Sequence, residues 1–208
     1  AIQENREMKI VYTPLHGTGY RFVPEVLRRA GFDNICCVER QMVPDGDFTT
    51  VESPNPENKS AFSLALEEAR QTGGDLIIAT DPDGDRLGVM VKKDGKYLLL
   101  TGNQTGALLA DYIIRSRKEN GTLPANGCVI KSVVTSDLGR KICEDYGVKM
   151  MDVLTGFKFI GEKMEEFEET GEYTFLFGYE ESYGSLAGTY ARDKDAVVAA
   201  LLVCEAAA

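Results

Sequence analysis

The chain has 208 residues, of which 43% are apolar and 27% charged, and it carries a formal net charge of −10. This composition suits a folded protein with a sizeable core, and the acidity argues against non-specific binding to nucleic acid or to an anionic membrane surface. The sequence shows no signal-peptide pattern, no apolar run of membrane-spanning length and no metal-ligand spacing among its five cysteines. We therefore expect a cytoplasmic protein with reduced thiols, and neither nucleic acid nor a membrane as a partner.

Short apolar runs alternate with segments of helical period through the first half of the chain. Strands are predicted at residues 9–13, 34–38, 75–80, 87–91 and 97–100, and helices at 21–30 and 60–71. A long loop that contains the stretch SPNPEN, residues 53–58, lies between the second strand and the second helix.

A second series of elements follows. Strands are predicted at residues 128–134, 148–153 and 173–177. Helices are predicted at residues 103–117, 157–167 and from about 193, and one more helix is predicted to begin after a cap at Ser136 or Asp137. The pattern predicts an α/β protein of two consecutive domains, residues 1–98 and 99–208.

Three carboxylates crowd into the segment DPDGDR that follows the third predicted strand. Asp81, Asp83 and Asp85 alternate along the chain, so they can converge on one side of an extended loop, and Gly84 permits a sharp backbone path. Such close like charges repel one another unless a cation neutralises them, and hard oxygen ligands suit Mg²⁺. The segment predicts a site for one magnesium ion. Two alternatives stay open: a solvated acidic turn, and a phosphatase that uses Asp81 as its phosphoryl acceptor.

Two other loops follow predicted strands, where open α/β sheets bind their ligands. GYEESYG, residues 178–184, offers carboxylates and hydroxyls that suit a sugar, although a polar loop packed by its tyrosines is an equal alternative. TPLHGTG, residues 13–19, passes from strand to helix and could receive an anion, while a structural role is favoured for its His16. Arg86 could form a salt bridge that stabilises its loop, face a substrate phosphate, or do both at once.

The segments TPLHGTG, SPNPEN, DPDGDR, TGFKFIG, GYEESYG and RDKDA occur in this order along the chain. In order and approximate spacing they resemble the α-D-phosphohexomutases, the phosphoglucomutase/phosphomannomutase family, over nearly the whole sequence. The resemblance implies two mixed-sheet α/β domains of the phosphohexomutase type, and GYEESYG is similar to the form found in the bacterial phosphoglucomutase branch.

The resemblance also implies roles for individual residues. The implied ligands of one Mg²⁺ are Asp81, Asp83 and Asp85. The implied catalytic residues are Arg86, Lys158 and Lys194. The implied substrate-binding residues are Thr155, Gly156, Glu180 and Ser182. Which of the two lysines would move a proton is left open.

The family's phosphoryl carrier is a serine in a TASHNP loop, and no serine precedes a histidine in this sequence. We therefore expect a fragment, domains two and three of a four-domain enzyme that interconverts hexose 1-phosphate and hexose 6-phosphate through a phosphoserine and a 1,6-bisphosphate. The implied partners are the hexose phosphate and the missing first and fourth domains, with glucose 1,6-bisphosphate as activator. The chain alone is expected to be inactive. A non-catalytic module that binds sugar phosphates is a further alternative.

Overall fold

The computed structural model describes residues 7–208, which divide into two units. The first unit comprises the described residues up to Thr101 together with Ala196–Ala208, and the second is Gly102–Asp195. The boundary between residues 98 and 99 stays a prediction of where the domains divide. Within residues 7–208, no helix is both long and apolar enough to cross a membrane.

A five-stranded mixed sheet forms the centre of the first unit. Its strands are β1 (Ile10–Thr13), β2 (Ile35–Cys37), β3 (Leu76–Thr80), β4 (Leu87–Lys93) and β5 (Lys96–Leu99). The helices that accompany it are α1 (Gly19–Ala30) and α2 (Ser63–Thr72), with short 3-10 turns at Glu39–Gln41 and Lys59–Phe62. The order is β2-β1-β3-β4-β5; β1 pairs in parallel with β2 and β3, and the β3–β4 and β4–β5 pairs are antiparallel.

The second unit contains a four-stranded mixed sheet. Its helices are α3 (Gly102–Glu119), α4 (Leu138–Tyr146) and α5 (Phe157–Thr170). Its strands are β6 (Gly127–Ser132), β7 (Lys149–Val153), β8 (Thr174–Tyr179) and β9 (Ser185–Ala187). The order is β7-β6-β8-β9, in which β6 is parallel to β7 and β8, and β9 is antiparallel to β8. The α/β fold with mixed sheets confirms the predicted fold class.

Each sheet buries its own apolar core. In the first unit Val11 and Ile77 of neighbouring parallel strands pack with Phe62, and in the second Ile130 packs with Ile160 of α5. Full burial of an aliphatic or aromatic side chain stabilises a fold by about 1.5–3 kcal/mol. The central parallel strands are buried along their whole length, which explains why they read as continuous apolar runs rather than as alternating patterns.

The last helix, α6 (Ala196–Ala207), follows the second unit in the chain but packs on the first. Its buried residues recur at helical spacing, and the helix lies against α1, β3 and β4. These residues are Ala196, Ala199, Ala200, Val203 and Cys204. The sequence analysis grouped this helix with the second series because it follows that series along the chain.

The two sheets place a polar loop at the same topological position. In the first sheet, residues 81–86 join β3 to the antiparallel β4. In the second, residues 180–184 join β8 to the antiparallel β9. Each loop therefore leaves the carboxyl end of a strand that has a parallel neighbour, which is the edge where open α/β sheets bind ligands.

Candidate functional site

The acidic loop begins directly after β3. Asp81 is only 7% exposed, and its Oδ1 accepts the backbone N–H groups of Asp85 at 3.0 Å and Arg86 at 2.9 Å. Gly84 has a φ of 75°, so the chain turns back at a residue without a Cβ. One oxygen each of Asp81, Asp83 and Asp85 lies within 4.8 Å of the other two. The structure thus brings the three carboxylates of the predicted metal site together.

Neighbouring segments hold this loop in place. The N–H of Thr18 donates to the carbonyl oxygen of Pro82 at 2.8 Å, and the N–H of Ala196 at the start of α6 donates to that of Gly84 at 3.0 Å. Gly17 lies so close that an added Cβ would come within 2.3 Å of the Pro82 Cα. The segment TPLHGTG therefore supports the acidic loop through its backbone.

His16 is tied to its own surroundings. Its Nδ1 donates to the carbonyl oxygen of Val43 at 2.9 Å, and its Nε2 lies 2.7 Å from the hydroxyl oxygen of Thr50. This bears out the structural role that the sequence favoured.

The electrostatics of the acidic loop follow from its burial. Burial raises the pKa of the Asp81 carboxyl to about 7, the backbone hydrogen bond from Arg86 opposes the rise, and the charges of Asp85 and Asp83 add to it. A proton and a cation therefore compete for this carboxylate. The cluster offers carboxylate oxygens, the donor type that Mg²⁺ prefers over the nitrogen and sulfur donors of softer metals. The donor set fits a magnesium ion.

A cavity of about 310 Å³ opens onto the cluster. It is lined by Pro54, Asn55, Asp81, Pro82, Asp83, Asp85 and Arg86. The Arg86 Nη1 donates to Glu57 Oε1 at 2.7 Å, while its Nε lies 3.8 Å from both Asp81 Oδ2 and Asp85 Oδ1. The sequence analysis quoted SPNPEN but gave Glu57 no role, because the contact joins residues far apart in the chain.

A second cluster forms in the other unit, where three quoted segments meet. Glu180 Oε1 accepts the N–H of Gly156 at 2.9 Å. Lys194 packs against the same loop, since a Cβ added to Gly184 would lie 2.1 Å from the Lys194 Cδ. The Lys194 Nζ also lies 5.5 Å from the centre of the Phe157 ring. Glu180, Gly156 and Lys194, all singled out from the sequence, are thus neighbours.

The remaining predicted site residues lie on the same edge of the second sheet. Thr155 and Lys158 are exposed at the start of α5, and Ser182 is half-buried in the β8–β9 loop. The Lys158 Nζ lies 4.8 Å from the centre of the Phe159 ring. The catalytic and binding roles of these residues stay predictions.

Glu181 was not singled out, yet it anchors the β8–β9 loop. Its Oε2 accepts the hydroxyls of Ser132 and Thr135, each at 2.9 Å, and its N–H donates to Thr135 Oγ1 at 3.1 Å. On the other side, a Cβ on Gly102 would lie 2.0 Å from the Glu181 carbonyl oxygen. Tyr183, with a φ of 71°, is held in the left-handed region within this loop.

Lys131 holds the segment that carries the Ser132 and Thr135 hydroxyls. It is 1% exposed, and its Nζ donates to the Thr135 carbonyl at 2.9 Å and lies 3.0 Å from Asp152 Oδ1 and 3.4 Å from Asp137 Oδ1. The hydrogen bond from Lys131 lowers the pKa of Asp137. A buried lysine needs such partners. The position of Lys131 within an apolar predicted strand could therefore have indicated that it is buried and paired.

The fold and the two loops define a class: α/β proteins of two mixed-sheet units, each with a polar loop at the carboxyl edge of its sheet. Two family models match the chain. Residues 1–95 match "Phosphoglucomutase/phosphomannomutase, alpha/beta/alpha domain II", and residues 101–208 match domain III of the same family. The chain belongs to the phosphoglucomutase/phosphomannomutase family, which confirms the resemblance seen in the sequence.

Individual relatives agree with this assignment. A phosphoglucomutase of Staphylococcus haemolyticus is 42% identical over 92% of the chain and 34% of its own length. A phosphomannomutase of Mycoplasmoides pirum is 37% identical over 98% of the chain and 36% of its own length. The chain thus spans about a third of the length of each of these relatives. A family member of known structure from Burkholderia thailandensis shares the fold, with a TM-score of 0.74 at 20% identity over 97% of this chain and 40% of that one.

Proposed function

We propose that this chain forms the second and third domains of a phosphohexomutase that interconverts hexose 1-phosphate and hexose 6-phosphate. The observation that carries the proposal is the convergence of Asp81, Asp83 and Asp85 at a cavity bordered by Arg86. Such a site places carboxylate ligands for a metal ion beside an arginine that can bind a phosphate, and enzymes of phosphoryl transfer use both kinds of group. Membership of the family supports this assignment.

The three carboxylates would hold one Mg²⁺. When bound, the ion supplies a Lewis acid that offsets the negative charge of phosphoryl oxygens. The protein's contribution is to fix the oxygens beforehand: the two backbone N–H groups that bind Asp81 Oδ1 and the turn at Gly84 hold the loop in one shape. Arg86, at the edge of the cavity, is suited to bind a phosphate oxygen.

The second cluster would bind the sugar. Glu180 and Ser182 offer a carboxylate and a hydroxyl to sugar hydroxyls, and Thr155 and Gly156 border the same loop. Lys158 and Lys194 supply positive charge for the substrate phosphate and are the candidates for proton transfer. Whether glucose, mannose or a pentose fits best depends on which hydroxyls these groups meet.

The reaction needs a phosphoserine from another domain of the parent enzyme. The P–O bond to that serine breaks as a sugar hydroxyl oxygen forms a new P–O bond; the sugar hydroxyl gives its proton to a base of the enzyme, and the departing serine oxygen takes up a proton from an acid of the enzyme. The resulting 1,6-bisphosphate then returns its other phosphate to the serine. Because the sequence has no serine followed by histidine, we expect this chain alone to retain parts of the site without turnover.

An activity assay tests the proposal. The chain and its full-length parent are each supplied with glucose 1-phosphate, Mg²⁺ and glucose 1,6-bisphosphate, and glucose 6-phosphate formation is followed. We expect a sustained rate from the parent only, and its loss in the parent's Asp83→Asn variant. Sustained turnover by the chain alone would contradict the fragment proposal. Hydrolysis of an aryl phosphate by the chain would favour the phosphatase alternative, and tight sugar-phosphate binding by the chain would favour the binding module.

A further inference from the structure

We infer that Glu57 is a positioning residue, which holds the Arg86 guanidinium at the rim of the acidic cavity and so keeps it from competing with a divalent cation for the aspartate oxygens. The inference rests on the proposed function in taking Mg²⁺ as the ligand. It concerns a residue that borders the site without belonging to the three carboxylates.

The loop that carries Glu57 is built to hold it. The preceding residue, Pro56, is buried, and a Cβ added to Gly88 of β4 would lie 2.7 Å from the Pro56 Cβ. Asn55 Oδ1 accepts the N–H of Glu57 at 2.9 Å, and the Asn55 carbonyl accepts the N–H of Asn58 at 3.0 Å. The segment that carries Glu57 is therefore packed through Pro56 against Gly88 of β4, which lies two residues after Arg86 in the chain.

The distances around Arg86 show which end of the guanidinium is held. The Nη1–Oε1 distance to Glu57 is 2.7 Å, a charge-assisted hydrogen bond. The Nε lies 3.8 Å from Asp81 Oδ2 and from Asp85 Oδ1, which is ion-pair range but too long for a hydrogen bond. The guanidinium thus faces the acidic cluster without bonding to it through Nε.

Loss of Glu57 would remove the hydrogen bond at Nη1 that opposes the pull of the acidic cluster on the guanidinium. Arginine binds carboxylates through two parallel hydrogen bonds, so a guanidinium that moved inward would take up oxygen lone pairs that a cation needs. The Arg86 and Glu57 side chains are 35% and 36% exposed, so the pair is weak and the effect on cation binding is expected to be a few-fold. The same exposure leaves Arg86 able to turn toward a phosphate.

A double-mutant cycle on the 208-residue chain tests this inference. Mg²⁺ is titrated calorimetrically into the wild type, Glu57→Gln, Arg86→Gln and the double variant, at physiological ionic strength. We expect Glu57→Gln to weaken binding by about fivefold when Arg86 is present, and by less than about twofold when Arg86 is replaced. Part of the first effect is the lost charge of Glu57, which acts in both backgrounds, so the difference between backgrounds isolates the action through Arg86.

The matched control is Glu25→Gln. Glu25 lies on α1, pairs with Arg29 at 2.8 Å in an exposed ion pair and is not among the residues that line the cavity, so the same change of charge should leave Mg²⁺ affinity unchanged. Equal weakening by Glu57→Gln in both backgrounds would overturn the inference, because Glu57 would then act by charge alone. If the wild type binds Mg²⁺ saturably but the cycle shows no coupling between Glu57 and Arg86, only this inference is overturned. Absence of binding by the wild type contradicts the proposed metal site itself and this inference with it.

Discussion

Thr135 shows how one hydroxyl can fix a loop. Its Oγ1 both donates to the Glu181 carboxylate and accepts the Glu181 N–H, so replacing it leaves the N–H without its acceptor and removes one of the two hydroxyls that donate to the carboxylate. We expect Thr135→Val, which keeps the shape, to lower the free energy of unfolding by about 1–3 kcal/mol in a urea titration. Hydrogen exchange at the Glu181 amide should become faster.

The control for this change is Thr122→Val. Thr122 is exposed and donates to the Arg117 carbonyl at 3.3 Å, so its loss should cost less than about 0.5 kcal/mol. Equal costs for the two variants would show that Thr135 does not hold the loop.

Buried thiols, Cys128 and Cys143 among them, give the protein an alkaline pH dependence. Burial raises the pKa of Cys128 and of Cys143 to about 12, whereas an unfolded thiol ionises near pH 8.5. Between about pH 8.5 and pH 12 the unfolded chain loses these protons while the folded chain keeps them, so stability falls as pH rises. Each thiol contributes a slope of about 1.4 kcal/mol per pH unit.

Urea titrations above about pH 8.5 in a reducing buffer measure this slope. The Cys143→Ala variant should show a shallower decline than the wild type, by about 1.4 kcal/mol per pH unit, whatever its absolute stability. Identical slopes in the two proteins would contradict the raised pKa of Cys143.

Residue-scale prediction succeeded where the signal was local. The alternation of Asp81, Asp83 and Asp85 was enough to predict that they converge, because it depends on five consecutive residues. The roles of Glu57 and Glu181 were not predicted, because their hydrogen-bond partners lie 29 and 46–49 residues away in the chain. No local pattern encodes such pairs, which form only when the sheet brings separate loops together.

At the scale of elements, α6 packs within the first unit although it follows the second in the chain. Ala200 on its buried face is fully enclosed, and the helix also donates the N–H of Ala196 to the acidic loop. We expect Ala200→Glu, which buries an unpaired charge, to destabilise the first unit by at least about 2 kcal/mol. Hydrogen exchange should show lost protection in β3 and β4, with β6 and β8 unchanged.

Ala206→Glu is the matched control, since Ala206 is exposed on the same helix and the change should be close to neutral. If Ala200→Glu instead increased hydrogen exchange in the strands of the second unit, the result would contradict the packing of α6 in the first unit.

Most elements could be predicted from the sequence, and the exceptions have physical causes. Helix α5 runs three residues past its predicted end because it closes only at Gly171, which adopts a left-handed φ of 67°. Strand β9 was missed because it has three residues and follows a glycine-rich loop, too short for a pattern to show. The packing of α6 was missed because its apolar composition does not say which sheet it covers.

At the scale of the whole chain, the alternation of strands and helices was sufficient to predict the α/β class. The strand orders β2-β1-β3-β4-β5 and β7-β6-β8-β9 were not predicted, because chain order does not fix which strands become neighbours. The order matters for function: it puts both polar loops after a strand with one parallel and one antiparallel neighbour. The sequence motifs located the loops, and the topology explains why they share this position.

The measurement that tests the account most directly is a calorimetric titration of Mg²⁺ into the chain. We expect saturable binding of one ion, weakened by about tenfold or more in Asp83→Asn, because one of three converging carboxylates is lost. Asp33→Asn, an exposed change of equal charge in the same unit, should bind as the wild type does. Absence of saturable binding, or equal binding by the Asp83→Asn variant, would contradict the claim that this loop is a metal site.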